Sequence, residues 1–206
     1  MKKISITITA FVAAFMLTAF SPSPQKAEAP TWSVDKGHSS VVFSVRHFFS
    51  DVVGSFDDFD GEIKFDPDDL ATSSISFTVQ VGSVNTKNER RDGHLQSADF
   101  FNAEQWPTMK FESTSISKKK KKGSVYYLAK GKLTVRDVTK EIEIPVNYLG
   151  SMENTRRKGS YVGGFNTEFM INRNDYGVGT GDWAATTTIG DEVKITVNVE
   201  VRRSDS

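Results

Sequence analysis

The chain has 206 residues, with 26 basic and 26 acidic side chains and no cysteine. A chain of this length can bury a core of its own, and its balanced charge argues against a nucleic-acid binder, which would show a basic excess. The lack of cysteine excludes disulfides, thiolate metal ligands, cysteine nucleophiles and a lipid anchor on cysteine.

Residues 1–29 are predicted to be a signal peptide. Two lysines form a positive start, residues 4–20 are mostly apolar, and Ala27-Glu28-Ala29 has the small-x-small pattern of a cleavage site. Pro30 would follow the cut, an awkward position for the peptidase, so an uncleaved membrane anchor is the alternative. The sequence therefore predicts an exported protein, periplasmic or secreted, whose domain spans residues 30–206.

From Ser40 onward, apolar residues recur with the two-residue period of a β-strand. In the first segment, Val41, Phe43, Val45 and His47 share one face of the strand. The alternation resumes after a connection at residues 50–54 and predicts further strands. They lie at residues 58–65, 75–81, from 109, 125–135, 142–148, 161–171 and 193–201.

Three local signals interrupt this pattern. Thr86-Lys87-Asn88-Glu89 has capping-box spacing, which predicts a helix from about Lys87 to Gln96 and then a helical turn at residues 97–101. Pro145 indicates an edge or a bulge in its strand. The five lysines at 118–122 are interpreted as a solvated hairpin turn rather than a site for anionic lipid.

The pattern predicts an all-β protein with about eight antiparallel strands and one helical insertion. Because every strand has one polar face, a parallel sheet covered on both sides is excluded. A closed barrel of eight strands has room for one small ligand, whereas a sandwich fills its core completely. Sequence periodicity does not separate these two architectures.

Several motifs follow one another in a specific order. The first run from His38 to His47, from Asn88 to Leu95 and from Ser97 to Phe101. Trp106-Pro107-Thr108, Gly131 to Thr139 and Ile171 to Gly177 come next. Together these motifs resemble the YceI family of exported polyisoprenoid-binding proteins, and the resemblance covers Trp32 to Arg202. The lysine run and the glycine-rich loop at residues 177–190 depart from the family pattern.

The resemblance implies an eight-stranded antiparallel, lipocalin-like barrel with one short helical insertion. Its apolar cavity would hold a polyisoprenoid or a related amphiphilic lipid, such as an isoprenoid quinone, without a cofactor. A small enzyme acting on the bound lipid, with His47 or His94 as acid-base group, is the alternative. A noncatalytic envelope-stress or interaction module comes third. The protein could also contact a membrane transiently or form a homodimer, and the sequence does not decide either point.

Two groups of residues are candidates for ligand contact. Inward-alternating apolar residues would line the lumen: Val41, Phe43, Val45, Phe59, Ile63, Phe77, Leu133, Phe165 and Phe169. Polar residues within the matched motifs would meet the head group: His38, His47, Arg91, His94, Asn172 and Arg173. Arg91 or Arg173 could pair with a pyrophosphate through a charge-assisted fork. No metal site is predicted, because no H-x-H or HExxH spacing occurs.

Overall fold

A computed structural model describes residues 28–184 and 186–204 of the chain. The predicted signal peptide lies outside these residues except for Glu28 and Ala29, so its cleavage stays a prediction. Ala29 is buried, and the Pro30 carbonyl accepts a hydrogen bond from the Phe65 amide at 3.1 Å. The folded unit therefore includes the last residue of the predicted leader.

Eleven strands in the described part of the chain form one antiparallel sheet. They are β1 (Thr31–Val34), β2 (Ser40–His47), β3 (Ser50–Phe56), β4 (Phe59–Lys64), β5 (Ser74–Gln80), β6 (Val84–Asn85), β7 (Thr108–Lys121), β8 (Ser124–Val135), β9 (Val138–Glu153), β10 (Ser160–Asn172) and β11 (Ile189–Ser204). The helix α1 (Glu89–Gln96) lies between β6 and β7 in the chain. Within the described ranges, no helix combines the length and hydropathy needed to cross a membrane.

The sheet closes into a barrel because β11 pairs with β10 on one side and with both β1 and β2 on the other. Only the 3₁₀ turn Lys36–His38 and its flanking residues separate β1 from β2, so these strands fill one position in the ring. In the same way, β3 and β4 together fill one position, and β5 and β6 together fill another. The ring thus has eight strand positions, and the predicted antiparallel barrel is confirmed.

The two ends of the barrel carry different elements. The end with α1, the β2–β3 loop and the loop between β10 and β11 is called the helix end below. The opposite end, with the β7–β8 hairpin and its lysines at 118–122, is called the lysine end. The hairpin is present, but the predicted turn at residues 118–122 is too long: four of these lysines are paired residues of β7, and the turn lies at residues 122–123.

The predicted connection at residues 50–54 is wrong, because this segment belongs to β3. It pairs continuously with β2, from Ser50 opposite His47 to Phe56 opposite Val41. The whole strand β3 contains Gly54 and two serines, so its apolar residues do not alternate clearly. Its strand conformation is dictated by the neighbouring strand rather than by its own residues.

The helix begins two residues later than the capping-box spacing predicts. Asn88 is the N-cap, and its side-chain oxygen accepts a hydrogen bond from the Arg91 amide at 3.1 Å. Lys87 has a φ of 62°, a left-handed conformation that cannot belong to the helix. Thr86 instead donates its amide and hydroxyl protons to the Asp92 carboxylate. The N-cap is therefore Asn88, whose side chain accepts from the helix, and not Thr86, whose hydroxyl is used by Asp92.

Pro145 lies at the end of the β9–β10 ladder, as its residue type predicted. The paired residues of β9 and β10 run from Glu153 back to Val146 and stop there. The Pro145 carbonyl accepts a hydrogen bond at 2.6 Å from the Thr167 hydroxyl on β10. Proline has no N–H, and at this point the ladder requires none.

Gly131 permits the close approach of β7 to β8. A Cβ atom at this position would lie 2.4 Å from the Glu112 carbonyl oxygen and 2.7 Å from the Phe111 ring. The carbonyl belongs to the backbone and cannot rotate away. Glycine is therefore required here by packing rather than by a positive φ.

Gly131→Ala is expected to lower the free energy of unfolding by about 1–3 kcal/mol, because overpacking forces the two strands apart. Gly82→Ala is the matched control, since nothing lies within 4 Å of a Cβ atom there. Urea denaturation of both variants measures the difference. Equal midpoints for the two variants would contradict the packing argument.

Candidate ligand-binding site

The barrel encloses an inner compartment of about 160 Å³. Every strand position of the ring contributes to its wall, which is aliphatic and aromatic apart from Lys110, Asn166 and Thr167. An apolar wall of this kind holds water poorly and suits an apolar ligand.

An outer compartment of about 250 Å³ lies between the inner one and the helix end. Its wall includes residues of α1, of the segment after α1 and of the loop between β10 and β11. The two compartments adjoin, because both are bordered by Phe56, Met109, Val135, Ile171 and Ile195. Together they form one elongated space, called the chamber below.

Four aromatic rings close the chamber at the lysine end. Phe65 packs against Tyr127, Tyr148 and Phe165, and Tyr148 packs against Phe165, with ring centroids 4.9 to 5.2 Å apart. Two of the contacts are edge-to-face, an arrangement that aromatic pairs prefer. Burial is the main reason that the pKa of the Tyr127 hydroxyl is raised. These four rings are called the aromatic plug below. The arginine and histidine side chains that border the chamber lie at the other end, the helix end.

Eight of the nine predicted lumen residues border the chamber. The inner compartment is lined by Val41, Ile63, Phe77, Leu133, Phe165 and Phe169, and the outer one by Phe43 and Val45. Phe59 does not border either compartment. It is buried in the wall, where its ring stacks on Phe77 with centroids 5.8 Å apart. Contact of these residues with a ligand stays a prediction.

Arg91 borders the outer compartment and keeps donors available. Its Nε donates to the Thr86 hydroxyl at 2.7 Å, and its Nη2 donates to the Thr86 carbonyl at 2.8 Å. Among the described residues, none accepts a hydrogen bond from Nη1. A guanidinium held by two bonds with an open edge can receive an anionic group.

His94 and His47 border the same outer compartment. His94 Nε2 lies 2.9 Å from the Asp99 carboxylate, and its ring packs edge-on against Phe100 and Trp183. His47 ends β2, and its ring packs edge-on against Phe48. The structure therefore brings Arg91, His94 and His47 to one compartment, as head-group binding would require.

Arg173 also borders the outer compartment, but all five of its N–H donors are used inside the protein. They donate at 2.7 to 2.9 Å to the carbonyls of Val178, Gly179, Trp183, Ile189 and Gly190. The residue is only 5% exposed, and this burial lowers the pKa of its guanidinium. The predicted fork to a pyrophosphate is therefore wrong for Arg173, which holds the β10–β11 loop instead.

Asn172 and His38 do not border the chamber. Asn172 caps the 3₁₀ turn Arg173–Tyr176 and donates to the Asp191 carboxylate at 2.9 Å. His38 ends the turn between β1 and β2, and its side chain is 64% exposed on the outside of the barrel. Neither residue is placed to meet a head group in the chamber.

His38 takes part in a surface cluster with Asp35 and Glu200. Ligand atoms of the three side chains lie within 4.8 Å of one another. The hydrogen bond from His38 is the main cause that lowers the pKa of the Asp35 carboxyl, and Arg202 acts in the same direction. Because Arg202 already pairs with Asp35, this cluster joins β11 to the turn after β1 through an ion pair and the hydrogen bond from His38.

The sequence did not identify Trp183, Phe100 or Tyr176 as wall residues of the outer compartment. Trp183 lies on the glycine-rich loop, where its ring packs against His94 and Phe100 with centroids 4.8 and 5.7 Å away. The loop has no alternating pattern that assigns an inward face. Its only sequence signal was its departure from the family pattern.

A model of the YceI-like domain matches residues 32–201 of the chain. The chain belongs to the YceI-like domain family. This confirms the resemblance found in its sequence motifs. A UPF0312 protein of Staphylococcus aureus strain N315 is 33% identical over 177 residues, which cover 84% of this chain and 98% of the relative.

Solved structures share the fold of this YceI-like chain. BcnA of Burkholderia cenocepacia has 26% identity and a TM-score of 0.71, with 83% of this chain and 99% of BcnA covered. A polyisoprenoid binding domain from Saccharophagus degradans has 14% identity and a TM-score of 0.58, with 84% and 98% covered. At 14% identity the second likeness concerns the fold alone.

Arg173→Lys is expected to lower the free energy of unfolding by about 3 kcal/mol or more, because hydrogen bonds from charged donors contribute about 1.5–3 kcal/mol each. A lysine has three donors on one nitrogen and cannot reach five carbonyls. Arg156→Lys, on the exposed β9–β10 connection, is the control. Thermal and urea unfolding measure the stability of both variants. Equal stability of the two substituted proteins would show that the loop does not depend on the guanidinium.

Proposed function

We propose that this YceI-like protein is an exported binding protein that holds a polyisoprenoid or a related amphiphilic lipid in its chamber. The observation that carries the proposal is the polarity of the chamber along its length. Aromatic rings close one end, the middle is apolar, and Arg91, His94 and His47 border the other end. This arrangement matches a molecule with a long apolar tail and one polar head.

Burial of the tail would supply the driving force. Each buried CH₂ group contributes about 0.8 kcal/mol, so about twenty buried carbons contribute on the order of 16 kcal/mol before the costs of association. The branched, unsaturated chain of an isoprenoid also fits a wall rich in aromatic and β-branched residues. The family resemblance supports the same ligand class, and the fold shared with a polyisoprenoid binding domain is compatible with it.

Export is the second part of the proposal. It rests on residues 1–29, whose two lysines, apolar stretch and Ala27-Glu28-Ala29 have the order of a signal peptide. The complete lack of cysteine places no demand on the redox state of the compartment. A periplasmic or secreted location would put the protein where lipids must cross water between membranes.

Native mass spectrometry of the purified protein, incubated with a long-chain polyprenol, tests the binding function. Wild type should carry one lipid, and Ile195→Trp should carry none, because Ile195 borders both compartments and the larger ring obstructs the passage between them. Lys194→Trp is the matched control, since Lys194 is exposed on the opposite face of β11. A wild type without adduct, or equal loading of the two variants, would refute a chamber-bound tail.

Arg91→Gln tests the class of head group. Loss of a charge-assisted contact should weaken binding of a prenyl pyrophosphate about tenfold and leave a neutral polyprenol of equal length unaffected. The ratio of the two affinities isolates the head, since both ligands share one tail. Arg90→Gln is the control, because Arg90 is exposed and does not border the chamber. An affinity ratio that Arg91→Gln leaves unchanged would place the head away from this arginine.

A small enzyme acting on the bound lipid is the second candidate, and one observation favours it. The Asp99 carboxylate holds His94 at 2.9 Å on the wall of the outer compartment, an arrangement typical of an oriented general base. The mass of the released lipid decides between the candidates. A chemically changed lipid, with the change lost in His94→Ala while binding persists, would favour catalysis, and an unchanged lipid would favour carriage.

A further inference from the structure

The β2–β3 loop exposes two aromatic side chains at the helix end. Phe48 is 55% exposed and Phe49 is 95% exposed, the largest value among the exposed large hydrophobic residues of the described chain. They form the whole loop, because His47 and Ser50 are the last paired residues on either side. The pair is called the Phe tip below.

The Phe tip is unfavourable in water and unsuited to its loop. Phe48 has a φ of 48°, whereas two-residue hairpin loops favour glycine, asparagine or aspartate where φ is positive. A bulky residue in this region of φ is uncommon and strained. Residues that are both strained and exposed indicate a contact that the isolated chain does not provide.

The tip is nevertheless held by contacts within the protein. The Phe48 amide donates to the Thr188 carbonyl, and Arg46 Nη1 donates to the Phe49 carbonyl, each at 2.9 Å. The Phe48 ring packs edge-on against His47 with centroids 4.9 Å apart. The backbone polar groups of the tip are thus partly satisfied within the protein, which lowers the cost of moving the tip into an apolar surface.

The Phe tip adjoins the outer compartment. His47, which precedes it, and Val52, which follows it on β3, both border that compartment. Ile189, another wall residue, pairs with His47 in the sheet. Whatever covers the tip therefore lies beside the polar end of the chamber.

We propose that the Phe tip docks on a lipid surface and so sets the outer compartment against the membrane. A phenylalanine buries about 150–250 Å² when fully covered, and Phe48 is already half covered, so the tip offers roughly 300 Å². Two such tips together do not reach the roughly 1,200 Å² of a stable protein–protein interface, which argues against a second copy or a protein partner. Insertion of an apolar element by about 5–10 Å into a membrane surface needs no such area.

This inference rests on the proposed function, because a lipid cargo explains why the mouth of the chamber should meet a membrane. Docking at this end would let a tail move between bilayer and chamber without crossing water. If the lysine run bound an anionic membrane instead, the opposite, plugged end of the barrel would face the lipid. The two orientations are distinguishable by which end of the barrel enters the lipid.

The absence of cysteine allows a single label to report each end. Phe49→Cys and, at the lysine end, Lys120→Cys are each labelled with an environment-sensitive fluorophore in the full chain and mixed with phosphatidylcholine vesicles. The label at 49 should shift its emission to the blue and become shielded from an aqueous quencher, while the label at 120 should not respond. Apolar residues 4–20 are common to both proteins and cannot produce this difference.

Three results would overturn the docking proposal. The label at 49 could remain exposed to water with vesicles present, or the label at 120 could respond instead. A response at 49 that grows with protein concentration in the absence of vesicles would show that a second copy covers the tip. Sedimentation velocity of the unlabelled chain checks that last outcome.

Substitutions give an independent measurement. Phe49→Ser should weaken partition into the vesicles by about tenfold, because one buried phenyl ring is lost. Leu149→Ser is the matched control, since Leu149 is 65% exposed on β9 away from the helix end. Phe48→Gly should weaken docking without lowering the thermal midpoint, because glycine relieves the positive φ. Equal partition of Phe49→Ser and Leu149→Ser would refute the proposal.

Polyprenol loading, measured by native mass spectrometry without vesicles, separates this proposal from the proposed function. Phe49→Ser should load as wild type does, because Phe49 does not border the chamber. A wild type that docks through its tip but takes up no polyprenol would refute only the cargo. A wild type that loads polyprenol while its tip stays in water would refute only the docking.

Discussion

Closure of the sheet along β11 is the constraint on which the rest of the structure depends. Because β11 pairs with β10 and with the β1–β2 position, every strand has a neighbour on each side and every second residue must face the interior. Eight strand positions leave an interior just wide enough for side chains or for one slender ligand. Aromatic rings fill it at the lysine end, and the chamber occupies the space between these rings and the helix end.

Two arginines at the helix end show how burial decides the role of a side chain. Arg173 is almost fully buried, and a buried guanidinium without partners would be costly, so five carbonyls surround it. Arg91 is only partly buried and needs fewer internal bonds. One therefore holds a loop in place, while the other retains hydrogen-bonding capacity toward the outer compartment.

Phenylalanine has three different environments in this barrel, and its sequence position alone predicted only part of them. The inward faces of Phe43, Phe77 and Phe165 followed from strand alternation. Phe59 has the same alternation but packs behind Phe77, because neighbouring rings compete for the same space. The exposure of Phe48 and Phe49 was not predicted, since a two-residue loop has no inward face and carries no turn signal here.

The sequence by itself determined the strand-rich class, the eight segments that became the ring, the hairpin at the lysines and the family. These depend on periodicity, turn chemistry and ordered motifs, which are local properties of the chain. Only the tertiary structure decided that the interior is hollow, where α1 begins, and that Arg91 rather than Arg173 is available to a ligand. Cavity volume and donor satisfaction depend on side chains from distant strands that meet only after the sheet closes.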